Sequence, residues 1–178
     1  MTKKELRAAM RRKNLGITPS ERAAASERIF ARVERSEAFG RARTVGFFCS
    51  LADEPETAEV FVRWSAAGKR LAVPRVEGDA MRFYEYDSRT MRPGAFGIAE
   101  PGPEARLCEP RELDLVVVPG TAFTAAGFRM GRGRGFYDKY LAQPEVHAVK
   151  IGVCFAHQLV GELPAEPHDV AMDYVITD

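Results

Sequence analysis

The 178-residue sequence lacks several features that would assign it to a specialised class of protein. No apolar run is long enough to cross a bilayer, since the most hydrophobic strand-like segment, residues 115–118, ends at Pro119. The three cysteines are far apart and form no CxxC pair, which argues against a disulfide framework and a zinc ribbon. The basic N-terminal segment has no apolar stretch of the secretory type. These absences favour a reducing, cytoplasmic setting.

The chain also lacks a charge excess of either sign. Its 26 Lys and Arg residues nearly balance 25 Asp and Glu residues, leaving a formal net charge of +1. This balance argues against a general polyanion binder, although a local basic patch is still possible. With 46% hydrophobic residues, no internal repeat and no linker, the sequence predicts one domain over residues 1–178.

Helical signals come first along the chain. A short amphipathic helix with a basic outer face is predicted around Leu6 and ends near Gly16. Its Arg-rich character also fits a mitochondrial presequence, but a first helix of the domain is the favoured interpretation. A capping box formed by Thr18 and Glu21, with proline between them, begins a second helix that ends near Ser36.

Apolar runs bounded by polar residues then predict buried strands that alternate with helices. The strands are residues 44–49, 71–74, 81–86, 114–118, 147–155 and 174–176, and the helices are residues 57–68 and 136–141. Residues 87–111, rich in Pro, Gly and Arg, are predicted to be a long ordered loop. This alternation predicts an α/β domain with a mainly parallel sheet and helices on both faces.

The most informative loop, residues 127–138, carries alternating glycines and arginines after a buried strand. In open α/β sheets, ligands bind beyond the carboxyl ends of strands, where this loop and the loops after Cys49 and Phe155 are expected. Glycine lets backbone N–H groups approach an anion, and arginine offers fork-shaped donors to phosphate oxygens. The pattern predicts a phosphate-binding loop, with Asp138 as an oxygen ligand for Mg²⁺.

Two other interpretations of this loop stay open from its residues alone. It lacks the Gly-Lys-Ser/Thr ending of a Walker A loop, and its G-x-G-x-G spacing is not the dinucleotide fingerprint. A short Gly/Arg run could be a solvated flexible loop or an RNA-binding segment. The flanking strand and helix favour phosphate binding over both.

Three further segments each have a functional and a purely structural interpretation. Glu54 and its acidic neighbours could accept hydrogen bonds from ligand amines, or simply favour the start of the next helix. Asp169 or Asp173 could join Asp138 around one metal ion, with His168 as an acid or base, or form only local hydrogen bonds. The basic residues of the first helix could bind a nucleotide phosphate or form a solvated face. They are Lys3, Lys4, Arg7, Arg11 and Arg12.

Taken together, these segments resemble the 5-formyltetrahydrofolate cyclo-ligases, also called 5,10-methenyltetrahydrofolate synthetases. The resemblance covers nearly the whole chain in the family's order. It is carried by residues 3–7, 50–57, 73–75 and 96–101, most specifically by residues 118–123 and 127–138, and by His168, Asp169 and Asp173. Three positions depart from the family pattern. Phe136 replaces a usual tyrosine, Met130 a common leucine, and Cys49 a larger apolar residue.

The resemblance implies a ligase of one-carbon metabolism that uses ATP and Mg²⁺. Such an enzyme converts 5-formyltetrahydrofolate to 5,10-methenyltetrahydrofolate and releases ADP and phosphate. The formyl oxygen is expected to attack the γ-phosphate, and N10 then closes the ring. The implied fold is the single three-layer α/β/α domain of sugar-phosphate isomerases and CoA transferases. The chain is expected to be a cytoplasmic monomer with no nucleic-acid or membrane partner.

The same resemblance implies roles for individual residues. Arg132 is the implied catalytic residue, placed against the transferred phosphoryl group. The implied ATP-binding residues are Lys3, Lys4, Arg7, Arg129, Gly131, Arg132, Gly133, Arg134, Gly135, Phe136 and Tyr137. The implied folate-binding residues are Cys49, Glu54, Arg132 and Phe136, and the implied Mg²⁺ ligands are Asp138 and Asp169.

Two other activities stay open at this point. Since fold does not fix function, the chain could be an ATP-using or phosphosugar enzyme of the same fold with another substrate. The acidic loop at Glu54 favours the folate. A nucleic-acid-binding module built on the Gly/Arg loop is disfavoured by the near-zero net charge.

Overall fold

The computed structural model describes all 178 residues. Its helices are α1 (Lys3–Leu15), α2 (Pro19–Glu34), α3 (Glu37–Arg41), α4 (Ala58–Ala66) and α5 (Phe136–Leu141). Its strands are β1 (Thr44–Gly46), β2 (Arg70–Glu77), β3 (Ala80–Glu85), β4 (Met91–Pro93), β5 (Ala99–Pro101), β6 (Leu107–Cys108), β7 (Leu115–Val118), β8 (Ala122–Phe123), β9 (Arg129–Met130), β10 (Val149–Val153) and β11 (Tyr174–Ile176). Its longest helix has 16 residues, and none combines the length and apolarity that a bilayer crossing needs.

A seven-stranded sheet forms the centre of the domain, in the order β11-β10-β7-β1-β2-β3-β6. The strands from β11 to β2 are parallel, as predicted, whereas β3 and β6 add antiparallel pairs at one edge. Strands β2 and β3 are joined by a two-residue turn whose Gly78 has a φ of 64°. Glycine suits this turn because its backbone reaches positive φ without steric conflict.

Helices cover both faces of this sheet, which confirms the predicted three-layer α/β arrangement. Successive residues of a strand point to opposite faces, so Val117 and Val116 enter different cores. One core packs α2, α3 and α4 against the sheet around Phe30 and Trp64. The other packs α5 and the β8–β9 hairpin around Phe123.

The predicted helix signals are mostly confirmed. Thr2 and Thr18 both form capping boxes, and Gly16 caps the end of α1. Helix α2 ends at Glu34, and Ser36 then caps the short helix α3, which the sequence analysis missed. The serine side chain accepts a hydrogen bond from a backbone N–H of α3, so it begins a helix instead of ending one.

Two predicted loops contain strands, and some predicted strands are shorter, most clearly β1 and the predicted strand 147–155, which is reduced to Val149–Val153. Residues 87–111 hold the β4–β5 hairpin and β6, because the antiparallel edge offers backbone partners that local sequence does not reveal. Arg129 and Met130, predicted as loop, pair with β8. Strand β1 ends at Gly46, and Phe47 makes one more hydrogen bond to Ala72 before the chain leaves the sheet.

Candidate active site at the carboxyl edge of the sheet

The loops after β1 and β7, the Gly/Arg loop, the β4–β5 hairpin and helix α1 enclose one cleft. Its main cavity has a volume of about 840 Å³, and residues 164–169 contribute to its wall. A second cavity of about 520 Å³ adjoins it along α1 and shares Arg7, Asp53 and Arg132 with it. All three predicted loops therefore meet in this cleft, the third through residues 164–169, while His157 near its start contacts the buried Asn14 of α1.

The loop that follows β1 is held rigidly from two sides. Ser50 and Thr57 exchange hydrogen bonds between backbone N–H and side-chain hydroxyl of 3.0 and 3.1 Å, which close the loop. From α2, Arg22 donates to the carbonyl oxygens of Leu51 and Glu54, both at 2.8 Å. Such fixed backbone geometry places acidic side chains reproducibly at the edge of the cleft.

The acidic side chains of this loop pair with Arg132. Asp53 forms two hydrogen bonds with the guanidinium, from Nη2 at 2.7 Å and Nη1 at 3.1 Å. Glu54 Oε1 accepts from Nη2 at 3.0 Å and from Nε at 3.2 Å. Neither carboxylate accepts a hydrogen bond from the first turn of α4, since both pair with Arg132 instead. Arg132, the predicted catalytic residue, is thus in direct contact with Glu54, a predicted folate-binding residue.

Burial sets the electrostatics of this cluster. It raises the pKa of Glu54, and the nearby Arg132 only partly opposes that effect. Burial would lower the pKa of Arg132, but hydrogen bonds and charge attraction from Asp53 and Glu54 raise it overall. Arg132 is therefore fully cationic at neutral pH, as a group that binds phosphate must be.

The Gly/Arg loop wraps the other side of the cavity. Arg129 on β9 is buried, and its Nη1 donates to the carbonyl of Pro119 at 3.2 Å. Burial lowers the pKa of Arg129, and Asp138 at 3.5 Å from Nη2 opposes the shift. Gly133 and Gly135 have φ values of 107° and 72°, a region that side chains disfavour. The loop's path thus depends on its glycines, while the six-residue α5 is too short for a strong dipole.

Helix α1 brings three of its five predicted cations to the main cavity. Lys3 pairs with Glu166 at 2.8 Å, and Arg7 Nε donates to the carbonyl of Gly131 at 2.8 Å. Both line the main cavity, as does Arg11. Lys4 does not, because neighbouring residues on a helix point about 100° apart.

The predicted metal ligands Asp138 and Asp169 line the same cavity. Asp138 Oδ1 accepts from the backbone N–H of Val170 at 3.1 Å, which ties α5 to the C-terminal loop. The ligand atoms of Glu166, His168 and Asp169 lie within 4.8 Å of one another, a group that does not include Asp138. Glu166 is a carboxylate of this wall that the sequence analysis did not select.

Asp173 does not join this group. Its carboxylate accepts from the backbone N–H of Lys150 at 2.8 Å and lies 3.6 Å from the Lys150 ammonium. It therefore stabilises the pairing of β10 with β11, and its metal-binding interpretation is wrong. His168 instead contacts Glu166 at 3.0 Å on an exposed part of the wall.

The apolar wall of the main cavity contains Phe136 and Cys49, the two predicted folate contacts without charge. Phe136 faces Phe96 of the β4–β5 hairpin with ring centroids 6.3 Å apart. Cys49 is partly buried, and burial raises the pKa of its thiol to about 11. Its thiol stays protonated at neutral pH, so it acts as an apolar surface and not as a nucleophile. Phe96, with a φ of 59°, was not selected from the sequence because only tertiary contact places it here.

Comparison with known proteins agrees with this architecture. The model of the 5-formyltetrahydrofolate cyclo-ligase family matches residues 1–178. The chain is 31% identical to the 5-formyltetrahydrofolate cyclo-ligase of Mycolicibacterium smegmatis, covering 99% of this chain and 93% of that relative. It is 26% identical to the mouse 5-formyltetrahydrofolate cyclo-ligase, with 98% and 92% covered.

A solved structure is similar to this chain over nearly the whole chain length. The NMR structure of the Aquifex aeolicus 5,10-methenyltetrahydrofolate synthetase superposes with a TM-score of 0.87 at 30% identity, over 99% of this chain and 89% of that one. The Mycoplasma pneumoniae synthetase, at 23% identity and a TM-score of 0.82, has the same fold. This chain therefore belongs to the 5-formyltetrahydrofolate cyclo-ligase family.

Proposed function

We propose that this chain converts 5-formyltetrahydrofolate to 5,10-methenyltetrahydrofolate, with ATP and Mg²⁺ as co-substrate and metal. Family membership supports the reaction. The observation that assigns the reaction to this cleft is the contact between the Gly/Arg loop and the acidic loop after β1. A cation of the phosphate-binding loop, Arg132, lies within 3.2 Å of the buried carboxylate Glu54. A phosphoryl group and a folate must meet at such a point.

The chemistry requires activation of an amide oxygen, which is a weak nucleophile and a poor leaving group. The formyl oxygen forms a bond to the γ-phosphorus while the bond from that phosphorus to ADP breaks. N10 then bonds to the formyl carbon and loses its proton to solvent. The original carbon–oxygen bond breaks, so the formyl oxygen leaves within inorganic phosphate. The protein must hold the reacting atoms in line and stabilise charge on the phosphoryl oxygens.

The chain's own cations fit the phosphate side of this reaction. Arg132 stabilises the transferred phosphoryl group, because it is the loop cation that reaches the carboxylate of the folate side. Lys3 and Arg7 bind ATP phosphates from α1. The remaining loop residues that bind ATP through backbone N–H groups, side-chain charge or ring faces are Arg129, Gly131, Gly133, Arg134, Gly135, Phe136 and Tyr137. Lys4 is left out of this set because it does not line the cavity.

Asp138 and Asp169 are the proposed Mg²⁺ ligands. The donor set fits the metal, since both are carboxylates on one cavity wall and Mg²⁺ prefers oxygen ligands. When bound, Mg²⁺ neutralises charge on the ATP phosphates. We expect Asp138→Asn to raise the Mg²⁺ concentration for half-maximal rate about tenfold or more, as one charged ligand is lost. Unchanged metal dependence in a Mg²⁺ titration would exclude Asp138 as a ligand.

The folate side is assigned to Glu54, Cys49 and Phe136. Glu54 accepts hydrogen bonds from the pterin, and burial strengthens such bonds because water does not compete. Cys49 and Phe136 contact the apolar parts of the substrate. The three free cysteines support a cytoplasmic setting, and the near-zero net charge argues against a nucleic-acid partner. A single-domain monomer over residues 1–178 without a membrane partner is part of the same proposal.

The direct test is a near-ultraviolet absorbance assay for the methenyl product. Purified protein is mixed with 5-formyltetrahydrofolate and Mg²⁺, and ATP is added last. We expect an ATP-dependent absorbance increase, with ADP and phosphate formed in equal amounts. Folded protein that binds ATP but neither binds nor converts the folate would instead support an ATP-using enzyme of the same fold with another substrate.

A further inference from the structure

We propose that Asp53 positions the Arg132 guanidinium for phosphoryl transfer, and that Asn14 anchors Asp53 to helix α1. The inference rests on the proposed function and assigns roles to two residues that lie outside the phosphate-binding loop and outside the proposed folate-binding set. Asp53 is a positioning residue here, because it acts through Arg132.

The first step is the freedom that Arg132 would have without a partner. Its side chain is 43% exposed, and it lies in a loop whose neighbouring glycine has positive φ. A long side chain at such a place populates many rotamers. Two parallel hydrogen bonds to one carboxylate select a single plane and direction for the guanidinium. Asp53 supplies both bonds, at 2.7 and 3.1 Å, from a side chain that is only 10% exposed.

The second step is the anchor of Asp53 itself. Asn14 of α1 is 3% exposed, and its Nδ2 donates to the Asp53 carbonyl at 2.9 Å. The Asn14 Oδ1 is hydrogen-bonded to His157 Nε2. The buried amide is therefore satisfied on both sides and joins three elements. Since α1 also carries Lys3 and Arg7, the same helix holds phosphate-binding cations and fixes the loop that orients Arg132.

The third step distinguishes the role of Asp53 from the role of Glu54. One oxygen of Glu54 is used by the backbone N–H of Leu51 at 2.9 Å, so its other oxygen must serve both Arg132 and the folate. When the folate takes that oxygen, Asp53 is the carboxylate that still holds Arg132. The two acidic neighbours thus have different duties, with Glu54 facing the substrate and Asp53 holding the catalytic arginine.

The test compares Asp53→Asn with a matched surface variant. Asp87 forms a similar bidentate pair with Arg89, at 2.7 and 3.0 Å, outside the cleft. We expect Asp53→Asn to lower kcat about 10- to 100-fold, because a misaligned guanidinium loses transition-state contacts. The KM for the folate should change less than about threefold, since Glu54 is intact. Asp87→Asn should leave both constants unchanged. An unchanged kcat in Asp53→Asn overturns the proposal.

Three further variants distinguish a positioning role from a folding defect. If Asp53 acts through Arg132, Asp53→Asn should cause no additional loss in an Arg132→Ala background, and independent, additive losses overturn the proposal. Asp53→Glu keeps a carboxylate and should recover part of the rate even if Asp53→Asn unfolds. Asn14→Ala should also lower kcat, by a smaller factor than Asp53→Asn does.

A substrate-free measurement separates this inference from the proposed function. The Arg132 Nε–H resonance, identified by its absence in Arg132→Ala, reports the order of the guanidinium by NMR relaxation. Because Glu54 Oε1 also accepts from Nε, the comparison is made in a Glu54→Ala background, where Asp53 alone holds the guanidinium. We expect an ordered signal in Glu54→Ala and a mobile one when Asp53→Asn is added. The same order in both overturns the positioning role even if the enzyme is active. If the loss of order is observed but folded wild-type protein has no folate activity, only the proposed function is refuted.

Discussion

At the scale of single residues, Arg132 and Glu54 define what the cleft can do. Arg132 is a permanent cation, whereas Glu54 is a buried carboxylate with a raised pKa. Their contact brings the proposed phosphate-binding group and the proposed folate-binding group within 3.2 Å of each other. Each substrate must therefore compete with, or share, a contact that the protein makes with itself.

Replacement of Arg132 by alanine tests the phosphate role. We expect kcat to fall about 100-fold or more, because the lost charge acts on the transition state. The KM for the folate should change much less. Steady-state kinetics measures both, with Arg111→Ala as the control, since Arg111 is an exposed partner of Glu109 outside the cleft. An unchanged turnover number would contradict a catalytic role.

Replacement of Glu54 by glutamine tests the buried charge. A carboxyl whose pKa is raised in the folded state stabilises the protein below its unfolded-state pKa and loses that contribution as pH rises through the folded-state pKa. We therefore expect Glu54→Gln to melt at a higher temperature than the wild type at pH 7. That gain should disappear below the ordinary glutamate pKa.

The same variant should bind the folate more weakly, since the neutral amide is a poorer acceptor. Thermal melts between pH 4 and pH 8, together with the KM for the folate at pH 7, measure both effects. A lower melting temperature at pH 7 would show that the carboxylate is a net stabiliser, contrary to the expectation.

At the scale of elements, the Gly/Arg loop depends on backbone conformations that only glycine adopts easily. Gly127 has a φ of 95°, and a Cβ built there would lie 2.3 Å from the carbonyl oxygen of Met172. Gly127 and Met172 also hydrogen-bond through their backbones at 2.8 Å, which joins the β8–β9 hairpin to the C-terminal segment. The hairpin therefore cannot be moved without disturbing the wall that carries Asp169.

Substitution of this glycine should be costly. We expect Gly127→Ala to lower the free energy of unfolding by about 1–3 kcal/mol or more, because it adds backbone strain and a steric clash. Gly40→Ala is the matched control, as Gly40 lies in α3 with open space around its Cβ position. That control should raise the free energy of unfolding by about 0.5–1 kcal/mol. Denaturant unfolding of both variants measures the difference, and equal values would refute the argument.

At the scale of the whole molecule, α1 connects the two ends of the chain across the cleft. Lys3 pairs with Glu166, and Arg7 contacts Gly131. Only Met10 and Asn14 of this helix are buried, so α1 contributes little to the two main cores. Its packing thus depends mainly on polar contacts with the loops that form the site.

Removal of two α1 charges should weaken nucleotide binding with little change in stability. We expect the double variant Lys3→Ala, Arg7→Ala to raise the KM for ATP about tenfold or more, as charge-assisted hydrogen bonds are lost. Its melting temperature should fall only slightly, because Lys3 loses a partly exposed ion pair and Arg7 a single hydrogen bond, while the buried Asn14 contact of α1 is kept. Lys13→Ala, in the exposed last turn of α1, is the control. An unchanged KM for ATP would mean that α1 does not bind the nucleotide.

Local signals in the sequence were enough for much of the architecture. The capping boxes at Thr2 and Thr18 and the run at residues 115–118 depend on neighbours a few positions away, and the second capping box and the run were predicted correctly. The boundaries that failed, at β6 and at β9, are set by strand pairing between distant segments. Such pairing leaves almost no trace in a short stretch of sequence.

The sequence by itself determined the family, the α/β class and the chemical character of the site. Glycine, arginine and carboxylate side chains have the same chemistry wherever they lie, so their order along the chain was sufficient. Only the tertiary structure decided which of them meet. It joined Arg132 to Glu54 and Asp53 across 78 and 79 positions, turned Lys4 away from the cavity, and assigned Asp173 to the sheet. Contacts over such separations depend on how helices and strands pack, which no local pattern specifies.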